Sequence, residues 1–323
     1  MEALIAPGEK MRVGENPAKT IKRIPKPQRI TVAVLSYVPF IGGYYAEALE
    51  VLKACLNGIW TNADLPFDLM VFDNGSCKET RQFLLDAQSK GKIQYLILSE
   101  KNVGKGGAWN VIFQSAPGEV IAYCDGDALL FPGWLSACVQ VLETYPNVGM
   151  VTARPMRTIS PDLYSSTIKW ANKTRGVKME RGQLMTYAEF KDFADTMGYS
   201  ETKIKQLYDS TQDIRLIFKG LNAYVGANHF QFVGWKKVLN QFTPFEMDRP
   251  LGQVQQLDQK MNEAGLLRLM TEKPLVQNMS NRIPQEYMKS QEKPQKSALK
   301  NLPIVKKILL GIHDKIFKMY FEN

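Results

Sequence analysis

The chain has 323 residues, 45% hydrophobic, 23% charged and 10% aromatic, which excludes a disordered polymer or a small disulfide-stapled scaffold and fits one large or two small globular domains. Forty-one Lys and Arg against 32 Asp and Glu leave a net charge of +9, which suits an anionic partner such as a nucleotide phosphate or an acidic membrane surface and does not single out nucleic acid. Cys55, Cys77, Cys124 and Cys138 lack the paired spacing of a zinc site or a disulfide framework, so a reducing cytoplasm is the simplest setting.

Residues 1–29 mix Lys, Pro and Gly and lack the apolar core of a secretory signal; they read as a flexible basic arm. From Thr31, Val32-Ala33-Val34-Leu35-Ser36 is a β-branched run bounded by Pro39, Gly42 and Gly43, which predicts a buried strand. Tyr45, Leu49, Leu52 and Leu56 then share a helical face, and Leu69-Met70-Val71-Phe72 forms a second buried run closed by Asp73-Asn74-Gly75-Ser76. A helix from Cys77 carries Phe83, Leu84 and Ala87, a third strand spans 93–98, a helix follows Gly107, and a fourth strand runs over 120–124. Helices alternating with near-continuous apolar strands imply a mostly parallel α/β sheet covered on both faces. Ligands of such sheets sit beyond the carboxyl ends of the strands, so Ser36 and Tyr37, Asp73, and Asp125-Gly126-Asp127 should converge on one rim.

Past Thr152 the alternation weakens. Residues 155–222 read as a polar, mostly helical, substrate-facing insertion with short helices over 187–195 and 201–208. A strand over 223–225, the loop Gly226-Ala227-Asn228-His229 and a helix over 254–264 ended by Gly265 complete the body. Residues 284–303 have the Lys, Gln, Ser and Pro content of a linker. Over 304–323, Ile304, Ile308, Leu309, Ile312, Ile316 and Phe317 alternate with lysines as a basic amphipathic helix, suited either to an anionic membrane surface or to packing on protein. No run approaches the roughly 18 apolar residues of a membrane span, so any membrane contact is peripheral.

Asp125 and Asp127, separated by a glycine that permits a tight turn, suit a hard divalent cation bridging to a diphosphate, although a solvated loop has the same composition. Asn102-Val103-Gly104-Lys105-Gly106-Gly107 joins the third strand to a helix. Its glycines, with Lys105 and the helix N-terminus, form a candidate phosphate cradle, or else serve close helix–sheet packing.

Four stretches in register, Val34-Leu35-Ser36-Tyr37, Val71-Phe72-Asp73-Asn74-Gly75-Ser76, Asn102-Val103-Gly104 with Ala108 and Asn110, and Gly118-Glu119-Val120 through Asp127, resemble the family 2 glycosyltransferases of GT-A fold. The resemblance is good over 30–152, weaker over 223–281, and absent from both tails and the insertion. It implies a Rossmann-like nucleotide-sugar-binding half (30–152) and an acceptor half with a helical insertion (153–283). It also implies a nucleotide-sugar donor, UDP-sugar first, a Mn²⁺ or Mg²⁺ cofactor, and a glycan or lipid-linked acceptor. A cytoplasmic protein at the inner face of the membrane would fit that role.

By the same resemblance Ser36 and Tyr37 border the base and Asp73 accepts its ring N–H. Asn102, Gly104 and Gly106 line base and ribose, Lys105 approaches the phosphates, Asp125 and Gly126 approach the ribose, and Asp127 and Asp125 serve the metal. Asp73 can alternatively close an Asx-turn. The family's acidic base is replaced by Gln253 and Val254, which leaves Asp258 first and Asp248 second as candidates. Asn278 stands roughly where a family histidine ligates the metal; His229 is a candidate to replace it or to meet the acceptor. A catalytically silent nucleotide-binding module and a nucleotidyltransferase are the alternatives.

Overall fold

The computed structural model describes residues 14–157, 163–246 and 253–284. The amphipathic segment over 304–323, the linker beyond 284, most of the N-terminal arm and Asp248 lie outside the described residues.

Four strands open the sheet: β1 (Ile30–Ser36), β2 (Phe67–Asn74), β3 (Tyr95–Ser99) and β4 (Val120–Asp125). They pair in parallel in the order β3-β2-β1-β4, linked by helices α1 (Ala48–Asn62), α2 (Lys78–Ser89) and α3 (Gly104–Ser115). After the short β5 (Ala128–Leu130) and α4 (Trp134–Thr144), β6 (Val148–Thr152) returns to the same sheet.

The second half holds α5 (Ser165–Lys173), β7 (Lys178–Gly182), α6 (Tyr187–Ala194), α7 (Glu201–Ser210), β8 (Asp213–Phe218), β9 (Leu221–Val225), β10 (Gln231–Trp235), α8 (Lys236–Leu239), α9 (Gln253–Glu263), β11 (Leu267–Met270) and β12 (Val276–Asn278). The ten-stranded order is β3-β2-β1-β4-β10-β6-β11-β9-β8-β7, with β12 and β5 as a separate pair. Strands β1, β2, β3, β4, β6, β8 and β11 point one way and β7, β9 and β10 oppose them. The sheet is therefore mostly parallel, as expected from the apolar runs. The insertion is less helical than its composition predicts: β7 and β8 are an antiparallel pair that extends the sheet edge.

Alternation along β1 shows why both faces are covered. Val32 and Val34 pack with Leu52, Leu56 and Ile59 of α1 and Leu135 and Val139 of α4, whereas Ala33 packs with Trp109, Ile112 and Phe113 of α3 and Leu257 and Met261 of α9. Just before β4, Gly118 donates its N–H to Thr31 Oγ1 at 2.9 Å. A Cβ there would lie 2.7 Å from the Arg29 carbonyl oxygen and 2.8 Å from the Thr31 nitrogen. Gly118→Ala is expected to lower stability by about 1–3 kcal/mol, an overpacking cost that urea denaturation reads directly; a change within error would mean that the β1 backbone yields freely.

Candidate functional site

Register places the strand ends side by side: Ser36 is opposite Asp73, and Leu35 is opposite Asp125. Beyond them the chain turns sharply through Gly126, whose N–H donates to the Leu35 carbonyl at 2.9 Å. A cleft of about 260 Å³ opens above this rim, bordered by Ser36, Tyr37, Tyr44, Tyr45, Asp125, Gly126, Asp127, Ser280 and Asn281. Tyr44, Tyr45, Ser280 and Asn281 are wall residues that the sequence reading missed. Tyr45 stands edge-on to Tyr37 and Tyr44, with ring centroids 6.2 and 5.1 Å away. Burial, then its two tyrosine neighbours, push its phenol pKa up. Asn281 Nδ2 donates to the Tyr44 carbonyl at 3.0 Å and Met279 N–H to the Asp127 carbonyl at 2.9 Å, which fixes the far wall on the Asp125-Gly126-Asp127 turn.

Three side-chain oxygens at this rim are buried without a hydrogen-bond partner: Ser36 Oγ, Asp73 Oδ1 and Asp127 Oδ1. The other oxygen of Asp73 accepts from Ser76 N–H at 3.2 Å and lies 3.4 Å from Arg81 Nε. One carboxylate thus closes the turn after β2 and still has an unspent oxygen, so the two uses foreseen for it are compatible. Burial, reinforced by Asp125 and opposed by Lys105, raises the Asp127 carboxyl to about 7.

Lys105 is spent differently from the phosphate role. Its Nζ lies 2.6 Å from Asp125 Oδ2, and the Tyr123 hydroxyl donates to Asp125 Oδ1. Asn102 Oδ1 accepts from Gly104 N–H at 2.8 Å and from Asn74 Nδ2 at 2.9 Å, and Val103 N–H donates to Asn74 Oδ1 at 2.9 Å. Asn102 and Gly104 therefore build the turn into α3, Gly106 is buried on its inner side, and none of the three borders the cleft. Gly75, at φ +86° with the Asn102 nitrogen 3.0 Å from where a Cβ would stand, lets the two turns touch.

His229 and Asp258, singled out separately, are brought together: His229 Nε2 lies 2.8 Å from Asp258 Oδ1, and Arg268 Nη2 lies 2.7 Å from the same oxygen. Asp258 is 2% exposed, and its Oδ1 is taken up by His229 and Arg268. Among the described residues no group of three or more His, Cys, Asp or Glu is placed to hold a metal ion, and His229 Nε2 is engaged by Asp258 rather than grouped with Asp125 and Asp127. Asn278, opposite Ala128 in the β12–β5 pair, uses its side-chain oxygen to accept from Ser280 N–H at 2.6 Å. A divalent cation still fits at Asp127, whose orphaned oxygen would be one ligand with diphosphate oxygens and water completing the set, the mode Mg²⁺ and Mn²⁺ favour in phosphate sites.

A mostly parallel sheet flanked by helices, with Asp73, Asp125 and Asp127 gathered at the carboxyl ends of its strands, defines an α/β protein with a candidate site at that rim. The Glycosyl transferase family 2 model matches residues 43–216, more than half of the chain, and the chain belongs to that family. An uncharacterized glycosyltransferase of Nostoc sp. is 28% identical over 100 residues, 31% of each chain. Glycosyltransferase AglE of Haloferax volcanii is 25% identical over 138 residues, 38% of this chain and 45% of that one. The matched stretches span less than half the length of these curated relatives. Among solved structures, a Pyrobaculum calidifontis mannosyltransferase in complex with GDP-Man and Mn²⁺ superposes with a TM-score of 0.46 at 16% identity, covering 92% of this chain and 71% of that one. S. aureus TarS 1-349 gives 0.44 at 13% identity over 91% and 73%.

Proposed function

We propose that this chain transfers a sugar from a nucleotide diphosphate sugar to a hydroxyl of a glycan or lipid-linked saccharide. The observation that carries this reading is the set of three partnerless buried oxygens, Ser36 Oγ, Asp73 Oδ1 and Asp127 Oδ1, at adjoining ends of one rim. Each such group costs about 1–3 kcal/mol when it is left without a partner, so three at one rim favour a ligand that supplies hydrogen bonds or a cation there. Asp73 accepts a ring N–H of the base, which uracil, thymine and guanine offer and cytosine and adenine lack. Tyr37 and Tyr45 flank the base, and Asp125, released from Lys105, turns to the ribose while Lys105 swings to the diphosphate. Asp127 would hold a divalent cation, which would supply positive charge to the leaving diphosphate, the kind of electrostatic stabilisation that dominates such transfers.

On the acceptor side, a cavity of about 300 Å³ lined by Met156, Met185, Phe190, Phe193, Leu207 and Asn228 lies next to the His229 loop. Its apolar lining supports an acceptor with an apolar portion, as a lipid-linked saccharide has. No helix among the described residues is long and apolar enough to cross a membrane, and the lysine-rich segment over 304–323 would bring the site to an anionic surface. The replacements at Gln253, Val254 and Asn278 support a second reading, a module that binds nucleotide without turnover.

The test is a thermal-shift panel of UDP-, GDP-, dTDP-, ADP- and CMP-sugars with and without Mn²⁺. One donor whose base carries a ring N–H should stabilise the protein, by about 2.7 kcal/mol at a hundredfold excess over Kd, and only with metal. Stabilisation by none sinks the proposal; binding with no transfer to any saccharide acceptor favours the silent module.

A further inference from the structure

The loop that carries His229 is fastened on both sides. Gly226 N–H donates to the Arg268 carbonyl at 2.9 Å, and the Ala227 carbonyl accepts from Arg268 Nη2 at 2.9 Å. Asn228 N–H donates to Thr152 Oγ1 at 2.8 Å, and its side-chain oxygen accepts from Phe230 N–H at 3.0 Å. The Phe230 carbonyl in turn accepts from Asp125 N–H at 2.7 Å. His229 is therefore set within two residues of a direct bond to the Asp125-Gly126-Asp127 turn on one side, and beside the cavity-lining Asn228 on the other. Its ring lies 6.2 Å from the buried ring of Trp109, which on its other contacts carries Lys105 Nζ at 5.5 Å.

The charged groups around this imidazole are Asp258 on α9 and Arg268 on β11, with Lys105 on α3 and Asp125 on β4 across Trp109. Burial pushes the Arg268 guanidinium pKa down and Asp258 opposes that shift, so the two form a buried ion pair. A carboxylate held in this way accepts a hydrogen bond from Nε2–H, which selects the Nε2–H tautomer and leaves Nδ1 without a hydrogen-bond partner among the described residues. The His229 side chain keeps 19% of its surface exposed, against 3% for that of Asp258.

We propose, resting on the glycosyl-transfer reading, that His229 is the proton acceptor for the incoming hydroxyl and that Asp258 is its positioning residue, together replacing the acidic base absent at Gln253 and Val254. As the acceptor oxygen bonds to the anomeric carbon, its proton passes to His229 Nδ1. The bond from that carbon to the diphosphate oxygen breaks, and its electron pair leaves with the diphosphate. The imidazolium is stabilised by Asp258 until it returns the proton to water.

The full chain has two histidines, His229 and His313, so selective ¹⁵N labelling of histidine gives two imidazoles that His313→Gln assigns. The expected spectrum shows His229 as a single Nε2–H tautomer, and Asp258→Asn should convert it to a mixture. In transfer assays His229→Gln should lower kcat by about 10²- to 10⁴-fold with little change in the KM for the donor. Its Mn²⁺-dependent thermal shift by the nucleoside diphosphate should match that of the unaltered chain. An Nδ1–H tautomer overturns the proposal whatever the donor, as does a His229→Gln enzyme within about threefold of full activity. Failure of the unaltered chain to bind any nucleotide overturns the glycosyl-transfer reading instead.

Discussion

Replacing Asp127 with asparagine is expected to lower sugar transfer by about 10³-fold while raising the melting temperature of the ligand-free protein at pH 8. On the proposed function, the loss follows from removing the carboxylate oxygen that would anchor the cation, and with it charge neutralisation at the leaving diphosphate, the kind of preorganised contact whose single loss costs 10²- to 10³-fold or more. The gain has the opposite origin. The folded protein raises the Asp127 carboxyl from its ordinary value to about 7, mainly by burial and then by the neighbouring Asp125. The folded state therefore keeps a proton that the unfolded chain releases, and between about pH 4 and pH 7 this group makes stability fall as pH rises. Above pH 7 the folded protein carries the full cost of an ionised, desolvated carboxylate beside another, and asparagine removes it. Melting curves from pH 4 to pH 8 should show the two proteins converging in acid and separating in base, the variant ahead by about 3 °C or more. Saturating Mn²⁺ with nucleotide should reverse their order. Equal melting temperatures at pH 8 would show that Asp127 is solvated and poorly suited to hold a cation.

The donor rim was legible in the sequence because its strands are buried on both faces. β1, β2 and β4 read as unbroken apolar runs, and a polar residue at the end of such a run lies at the sheet edge. What the sequence concealed was pairing across the fold. Asp258 is noticeable for its place on a helix, but its partners His229 and Arg268 come from a loop and a strand that no periodicity links to it. Arg268, 1% exposed inside a four-residue strand, has the composition of a surface residue and was not singled out. Lys105 was placed by charge alone, which could not reveal that without ligand it closes on Asp125. The polar segment 155–222 was read as helical because β7, Lys178-Met179-Glu180-Arg181-Gly182, lies at the open edge of the sheet, where charged side chains are tolerated and the apolar signal of a strand fades. β5 and β12, three residues each, are too short to carry any period.

Asp213→Asn is expected to cost about 3–5 kcal/mol of stability. Asp213 opens β8, and its carboxylate meets Arg157 in two contacts, Nε at 2.8 Å and Nη2 at 2.9 Å, with both side chains fully buried. The remaining guanidinium hydrogens reach the Tyr208 carbonyl at 2.7 Å, the Thr211 carbonyl at 3.1 Å and Gln183 Oε1 at 2.6 Å, while Phe190 and Tyr208 stack over the group at 4.9 and 4.7 Å. Asp213 Oδ2 also accepts the N–H groups of Leu184 and Met185, both at 2.9 Å. One ion pair thereby ties the chain leaving β6 to α6, α7 and the β7–β8 edge, and its Arg157 lines the cavity that Asn228 also borders. The amide leaves Arg157 charged and buried without a counter-ion. Exchanging both residues for apolar ones does not restore stability, because the Leu184 and Met185 N–H groups then lose their acceptor. Urea denaturation of Asp213→Asn and of the Arg157→Met, Asp213→Leu double variant should therefore show both well below the unaltered protein. On the proposed function, nucleotide binding at the rim of Ser36, Asp73 and Asp127 should persist wherever the chain remains folded. Full recovery in the double variant would show that the pair acts by charge alone and that the insertion is held by its apolar packing.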